Sequence, residues 1–311
     1  MHSRRAASLL FAAACGSACG SQAPEAEQPG SEIPATVTDV RRYQLDVREL
    51  RGLSDLAVDP TGRIWAVAER VRLAVRIDRP GATPEVFPLV GVPDEVDIEG
   101  VAWLDRERVA LATESDAGAR ATDALLIARL GDGVLEVVER RALDYSIWPL
   151  DPIGNQGMEG LCRAGSRLVA SIETVIANPQ ERFAPIAIHQ LSDGGWTPLL
   201  LRLTTRTGKI SALACSARRG GSIDVLAIER HFEVARLILF RVPADPRPGK
   251  VLEPVVVADL DAAMIHQENF EGLLWDGDRA ISLVVDNDWT HISGPNLLIT
   301  ARLHGPLPAP R

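Results

Sequence analysis

The sequence predicts an all-β propeller of five four-stranded blades, closed by an N-terminal strand. Three observations carry this. First, a short apolar strand opening with Glu or Ser recurs five times, starting at Ser54, Glu99, Glu159, Ser211 and Glu271. In each case a second strand ends in an acid 14 to 18 residues later, at Glu69, Glu114, Glu173, Glu229 and Asp286. Second, apolar and β-branched runs fall four to a repeat, and repeats of 45 to 60 residues built from short strands are the signature of a propeller. Third, the last repeat has three runs, while an unpaired run stands upstream of the first. Pairing these two closes the ring and removes its free edges.

In order, the first repeat supplies runs at 55–58, 64–68, 72–77 and 85–90, and the second at 100–104, 108–113, 124–130 and 134–143. The third gives 158–162, 167–172, 185–191 and 196–203, and the fourth 210–215, 223–228, 235–242 and 254–260. The fifth gives 270–275, 280–285 and 297–303, and the unpaired run is 40–47. A sixth, degenerate blade would fit inside one of the 60-residue spacings. Residues 259–267 would accommodate one or two helical turns. The 25 Gly and 21 Pro punctuate the runs as turns require.

With 311 residues and 46% apolar content, the chain can bury a full core. A net charge of −9 argues against nucleic acid, which calls for a basic stripe. Such a balance gives a polyanionic ligand no help without a cation. At the N-terminus, Arg4 and Arg5 precede a short apolar run and the succession Ala12-Ala13-Ala14-Cys15. This pattern resembles a bacterial lipoprotein signal over residues 1–15, with Cys15 lipidated; cleavage as an ordinary secretory signal is the alternative. Residues 16–34, rich in Gly, Ser, Pro, Glu and Gln, read as a flexible tether, leaving 35–311 as one domain. The expected location is the bacterial cell envelope, facing the periplasm or outside. The protein would be a monomer, in contact with membrane only through its lipid.

Cys162 and Cys215 lie in the opening strands of successive repeats, one step apart in phase. Side chains alternate across a strand, and adjacent blades present opposite faces to each other. The two thiols could therefore share one inter-blade space, as a disulfide in an oxidising compartment or as two small buried hydrophobes.

The start of a first strand and the end of a second lie at the same face of a propeller. Glu69, Glu99, Glu114, Glu159, Glu173, Glu229, Glu271 and Asp286 should therefore form a crown of carboxylates around one mouth. Two carboxylates about 6 Å apart repel by roughly 3 kcal/mol at an effective dielectric near 20. Chain cations, protonation or a bound hard cation such as Ca²⁺ would offset this. The alternative is that such acids simply hold backbone N–H groups of the next blade. His189, His266 and His291 read as surface or turn residues, not ligands.

Several stretches, taken in order, resemble one bacterial family. They are Ser54-Asp55-Leu56-Ala57, Asp97-Ile98-Glu99-Gly100, Asn155-Gln156-Gly157-Met158-Glu159-Gly160, Ile210-Ser211-Ala212-Leu213 with Glu229-Arg230, and Asn269-Phe270-Glu271-Gly272 with Asp286-Asn287-Asp288. The family is the phytase-like domain, described as esterase-like activity of phytase. The resemblance spans about residues 40–303. It implies an exported propeller, binding Ca²⁺ and acting on phosphate or other esters. On that expectation the metal would be held by acids drawn from Glu69, Glu99, Glu114, Glu173, Glu229 and Asp286. Glu159 and Glu271 would orient or deprotonate water. Arg70, Arg230, Lys209 and His231 would meet the anionic end of the substrate. A Ca²⁺-dependent lactonase and a non-catalytic envelope binding protein, taking a ligand or protein on its top face, are the competing functions.

Overall fold

A computed structural model of the chain describes residues 34–310, apart from 116–119, 151–155, 193, 232–233, 263–267 and 290–291. The expected signal, Cys15 and all but the last residue of the expected tether lie outside them, as do His266 and His291. The unit Ile33–Arg311 forms five blades.

Blade 1 comprises Leu53–Val58, Ile64–Ala68, Leu73–Ile77 and Glu85–Val90. Blade 2 comprises Val96–Trp103, Arg108–Ser115, Thr122–Leu130 and Leu135–Asp144. Blade 3 comprises Met158–Ala164, Arg167–Ile172, Arg182–Gln190 and Trp196–Arg202. Blade 4 comprises Lys209–Ala217, Ile223–His231, Val234–Val242 and Val255–Asp259. Blade 5 comprises Phe270–Trp275, Ala280–Val285 and Leu297–His304, completed by the N-terminal strand Thr36–Gln44. The first strands touch in cyclic order, that of blade 5 returning to that of blade 1.

The apolar core follows this plan. It divides into five clusters, one in each inter-blade space, so each blade buries both faces. That explains why the inner strands read as near-continuous apolar runs rather than alternating ones. Outer edges are joined by short parallel pairings, Leu89↔Leu135 between blades 1 and 2 and Leu200↔Val251 between blade 3 and the residues leading to the last strand of blade 4.

The closing strand lies upstream of the expected 40–47. Val37 and Val40 pack in the space between blades 4 and 5. Leu45 and Val47 have left the strand; Leu45 N–H donates to Asn296 O, and both residues fill the space between blades 5 and 1. The apolar pair that suggested a strand is thus a seam filler. The strand Val255–Asp259 matches the expected run 254–260, the expected helical stretch 259–267 lies largely outside the described residues, and the one helical element among the described residues is the single 3₁₀ turn Tyr145–Ile147.

Cys162 and Cys215 are joined by a disulfide in the space between blades 3 and 4, their Cα atoms 5.5 Å apart. His189 corrects its expectation: it is a fully buried strand residue. Its ring lies 4.5 Å from that of Trp196 and its Nε2 is 2.8 Å from Arg141 Nη1, between blades 3 and 2.

Candidate functional site

Each first strand carries a β-bulge, at the residue that opens the repeat or, in blade 3, at the glycine after it. The register slips between Leu53 and Asp55, Ile98 and Gly100, Glu159 and Leu161, Ile210 and Ala212, and Phe270 and Gly272. A bulge bends its strand and re-aims a side chain. Here it turns Ser54, Glu99, Glu159 and Glu271 into one cavity of about 510 Å³ at the mouth of the ring. Glycine follows the acid because the first strands converge. At Gly272 a Cβ would stand 2.9 Å from Asp55 Cα, and at Gly160, which adopts φ +62°, 3.1 Å from Ala212 Cα.

Seven of the eight expected acids line this cavity, as do Arg70, Lys209, Arg230 and His231. Glu229 is the exception. It is fully buried and accepts hydrogen bonds from the N–H and hydroxyl groups of Thr204 and Thr205, at 2.6–3.1 Å. The two threonines arrive on the loop ahead of blade 4 and consume both its oxygens, so Glu229 corrects its assignment to the metal-holding acids.

The other acids divide by partner. Glu173 pairs with Lys209, Glu271 with Arg230, and Glu69 with Arg70 at 2.8 Å. Glu114 accepts from the N–H of Gly157, and Asp286 from Asn269 Nδ2 at 3.0 Å. Glu271 keeps its second oxygen buried without a hydrogen bond. The carboxylates of Glu99 and Glu159, residues 8% and 9% exposed, have no hydrogen-bond or ion-pair partner among the described residues.

Burial dominates the electrostatics. It pushes the Glu159 carboxyl up to about 7, against Lys209 and with Glu114 adding to the rise. Glu69 rises to about 7 against the pull of Arg70, and Glu114 to about 7 against the Gly157 N–H. Glu271 rises to about 8 despite Arg230. Glu99 goes well above the usual carboxylate range, first through burial and then through Glu159 beside it.

Several residues of the site escaped the sequence reading. The carboxylates of Glu69, Asp97 and Glu99 each bring an oxygen within 4.8 Å of the others. Asp97 sits two residues before the repeat's Glu, in the quoted Asp-Ile-Glu-Gly stretch, and was the available signal. Asp55 is completely buried on the axis. Its carboxyl accepts from Leu56 and Val101 N–H, both at 2.8 Å, and from Leu161 at 3.4 Å and Leu273, so it ties the first strands of four blades. Asp261, Glu268 and Arg182 also reach the cavity. The described lining thus holds nine carboxylates against four permanent cations and one histidine, which favours a cationic occupant.

Residues 48–289, more than three quarters of the chain, match the model of a family described as "Phytase-like: Esterase-like activity of phytase". No curated protein matches the sequence. Among solved structures the chain is similar to the PQQ-bound aldose sugar dehydrogenase of Streptomyces coelicolor, with 13% identity over 86% of this chain and 99% of that one, TM-score 0.45. It is also similar to the α-L-arabinanase of Penicillium chrysogenum, with 10% identity over 88% and 98%, TM-score 0.47. The α-L-arabinofuranosidase of Podospora anserina gives 9% identity over 88% and 98%, TM-score 0.48.

Proposed function

The chain belongs to the phytase-like family, and from that membership we propose that its cavity hydrolyses a phosphate or other ester with the help of a hard cation such as Ca²⁺. The observation that carries this is the pair Glu99 and Glu159, whose carboxylates are buried at the cavity without a hydrogen-bond or ion-pair partner among the described residues.

The donor set fits such a cation. Ca²⁺ takes oxygen ligands at 2.3–2.6 Å, so two ligands of one ion stand up to about 5 Å apart, the span of the Glu69, Asp97 and Glu99 oxygens. Bound there, the cation would supply a Lewis acid that polarises the ester oxygen and lowers the pKa of water. The acids already committed to Lys209, Arg230 and the threonines are poorer ligands, which narrows the holding set to Glu69, Asp97 and Glu99 with Glu114 and Asp286 nearby.

Glu159 then acts as general base on the attacking water. Its carboxyl, pushed up to about 7, exchanges protons near neutral pH, where such catalysis is efficient. Glu271, fixed by Arg230, orients the same water with its unpaired oxygen. Arg70 and His231 meet the anionic end of the ester, while Lys209 and Arg230 act mainly by neutralising Glu173 and Glu271. The protein is exported and tethered to the envelope through Cys15. The Arg-Arg, apolar and Ala-Ala-Ala-Cys succession supports the anchor, and the Cys162–Cys215 disulfide supports an oxidising compartment.

The test is turnover of chromogenic phosphate esters, carboxylate esters and lactones with Ca²⁺ and with EGTA. Glu159→Gln should lose at least about 100-fold in kcat, the usual contribution of general acid–base catalysis. Ca²⁺ should raise the Tm of the wild type. A Ca²⁺-dependent Tm rise with no turnover on any panel would leave a binding propeller and end the hydrolase reading.

A further inference from the structure

Arg70 differs from the other cations of the cavity. The Arg230 and Lys209 side chains are 16% and 29% exposed, in close pairs with Glu271 and Glu173. Arg182 is spent on the carbonyls of Thr205, Thr207 and Gly208. Arg70 is 53% exposed, and its guanidinium lies 2.8 Å from Glu69 and 3.8 Å from Asp97. Those two carboxylates, with the partnerless Glu99, are the three whose oxygens come within 4.8 Å of one another. A guanidinium and a divalent ion there compete for the same oxygens, and a half-exposed side chain on a long stem can leave at little cost.

We propose that Arg70 is a displaceable counter-ion: a divalent cation entering Glu69, Asp97 and Glu99 expels its guanidinium, which turns to the anionic end of the substrate. This rests on the cation reading above and adds an order to it. The lining is net negative, so it repels an anionic ester until the cation is in place and Arg70 is released. Arg70 is then a specificity-determining residue that couples the two binding events.

The experiment is calorimetric titration of CaCl₂ into EGTA-stripped wild type and Arg70→Gln, with phenylglyoxal labelling of wild-type Arg70 followed by mass spectrometry, with and without Ca²⁺. Arg70→Gln should bind Ca²⁺ at least tenfold more tightly, and Ca²⁺ should raise Arg70 labelling several-fold. If both proteins bind Ca²⁺ within twofold, or Arg70→Gln binds more weakly, and labelling is unchanged or falls, the displacement is wrong while the cation site stands. Binding by Arg70→Gln alone would overturn the displacement, since Ca²⁺ then fails to expel Arg70 from the wild type, and would remove Ca²⁺ from wild-type catalysis. No binding by either would overturn both readings. The labelling arm needs no variant, so it decides the matter even if Arg70→Gln folds poorly.

Discussion

Glu114, Glu173 and Glu229 end the second strands of three successive blades, yet each meets a different partner. Glu114 takes the backbone N–H of Gly157, Glu173 an ammonium, and Glu229 two threonines with their amides. The difference lies in what the neighbouring segment brings, not in the acid: the stretch entering the next blade for Glu114, the first strand of the next blade for Glu173, and the loop entering its own blade for Glu229. At Glu114, Glu159 and Glu271 alike, burial outweighs the donors and cations nearby, and the carboxyl holds its proton more tightly than in water. This has a signed consequence. Glu69, Glu114 and Glu159 sit at about 7 and Glu271 at about 8, against an ordinary 4.5. Between those limits the folded protein binds more protons than the unfolded chain, so stability falls as pH rises. The stability is fully present below about pH 4.5 and is lost as pH passes 7 to 8. In EGTA the Tm should drop between pH 5 and 8, less steeply for Glu159→Gln, and Ca²⁺ should flatten the curve. A Tm that is level or rising over that range without metal would contradict these assignments.

At the scale of the element, the bulged first strand does the positioning. One extra residue per blade turns the opening side chain into the mouth, and the glycine behind it lets neighbouring strands close to contact. Gly272→Ala should therefore cost about 1–3 kcal/mol in chemical denaturation, because its Cβ would press both on Val284 Cγ2, at 2.5 Å, and on the Asp55 backbone, at 2.9 Å, which cannot rotate away. A loss under about 0.5 kcal/mol would show that the strands have slack. The repeat itself is legible in the sequence, since each Glu-Gly or Ser recurs with an acid at a nearly fixed distance, and strand alternation puts both at one face. The bulge is not legible, because an extra residue leaves the apolar run looking continuous. Nor is the commitment of Glu229, which depends on two threonines 24 and 25 residues away in sequence. Asp55 and Asp97 lay in view, but without a count of converging N–H groups or carboxylates they read as ordinary repeat residues. His189 misled for the opposite reason: a polar residue in a strand was assigned to the surface, whereas an arginine from the next blade partners it inside.

For the whole molecule, the disulfide fastens blade 3 to blade 4 across 53 residues of chain, for which chain-entropy models give roughly 4 kcal/mol. The full chain expressed in a bacterium should yield a product whose intact mass begins at Cys15, carries acyl chains and lacks two thiol hydrogens. A soluble product without acyl mass would remove the anchor, and two alkylatable thiols without reductant would remove the bridge. The ring also closes in a particular way. Thr36–Gln44 is the first strand of the propeller to be synthesised, and its partner Leu297–His304 is among the last segments, so the closing pair joins residues some 250 positions apart. Until Leu297–His304 has been made, the growing chain therefore holds four complete blades and one incomplete blade, and the ring cannot lock prematurely. The same seam places Thr36–Gln44 in antiparallel register with Leu297–His304. A load applied to the chain ahead of Thr36 would therefore be carried by the ladder that closes the ring.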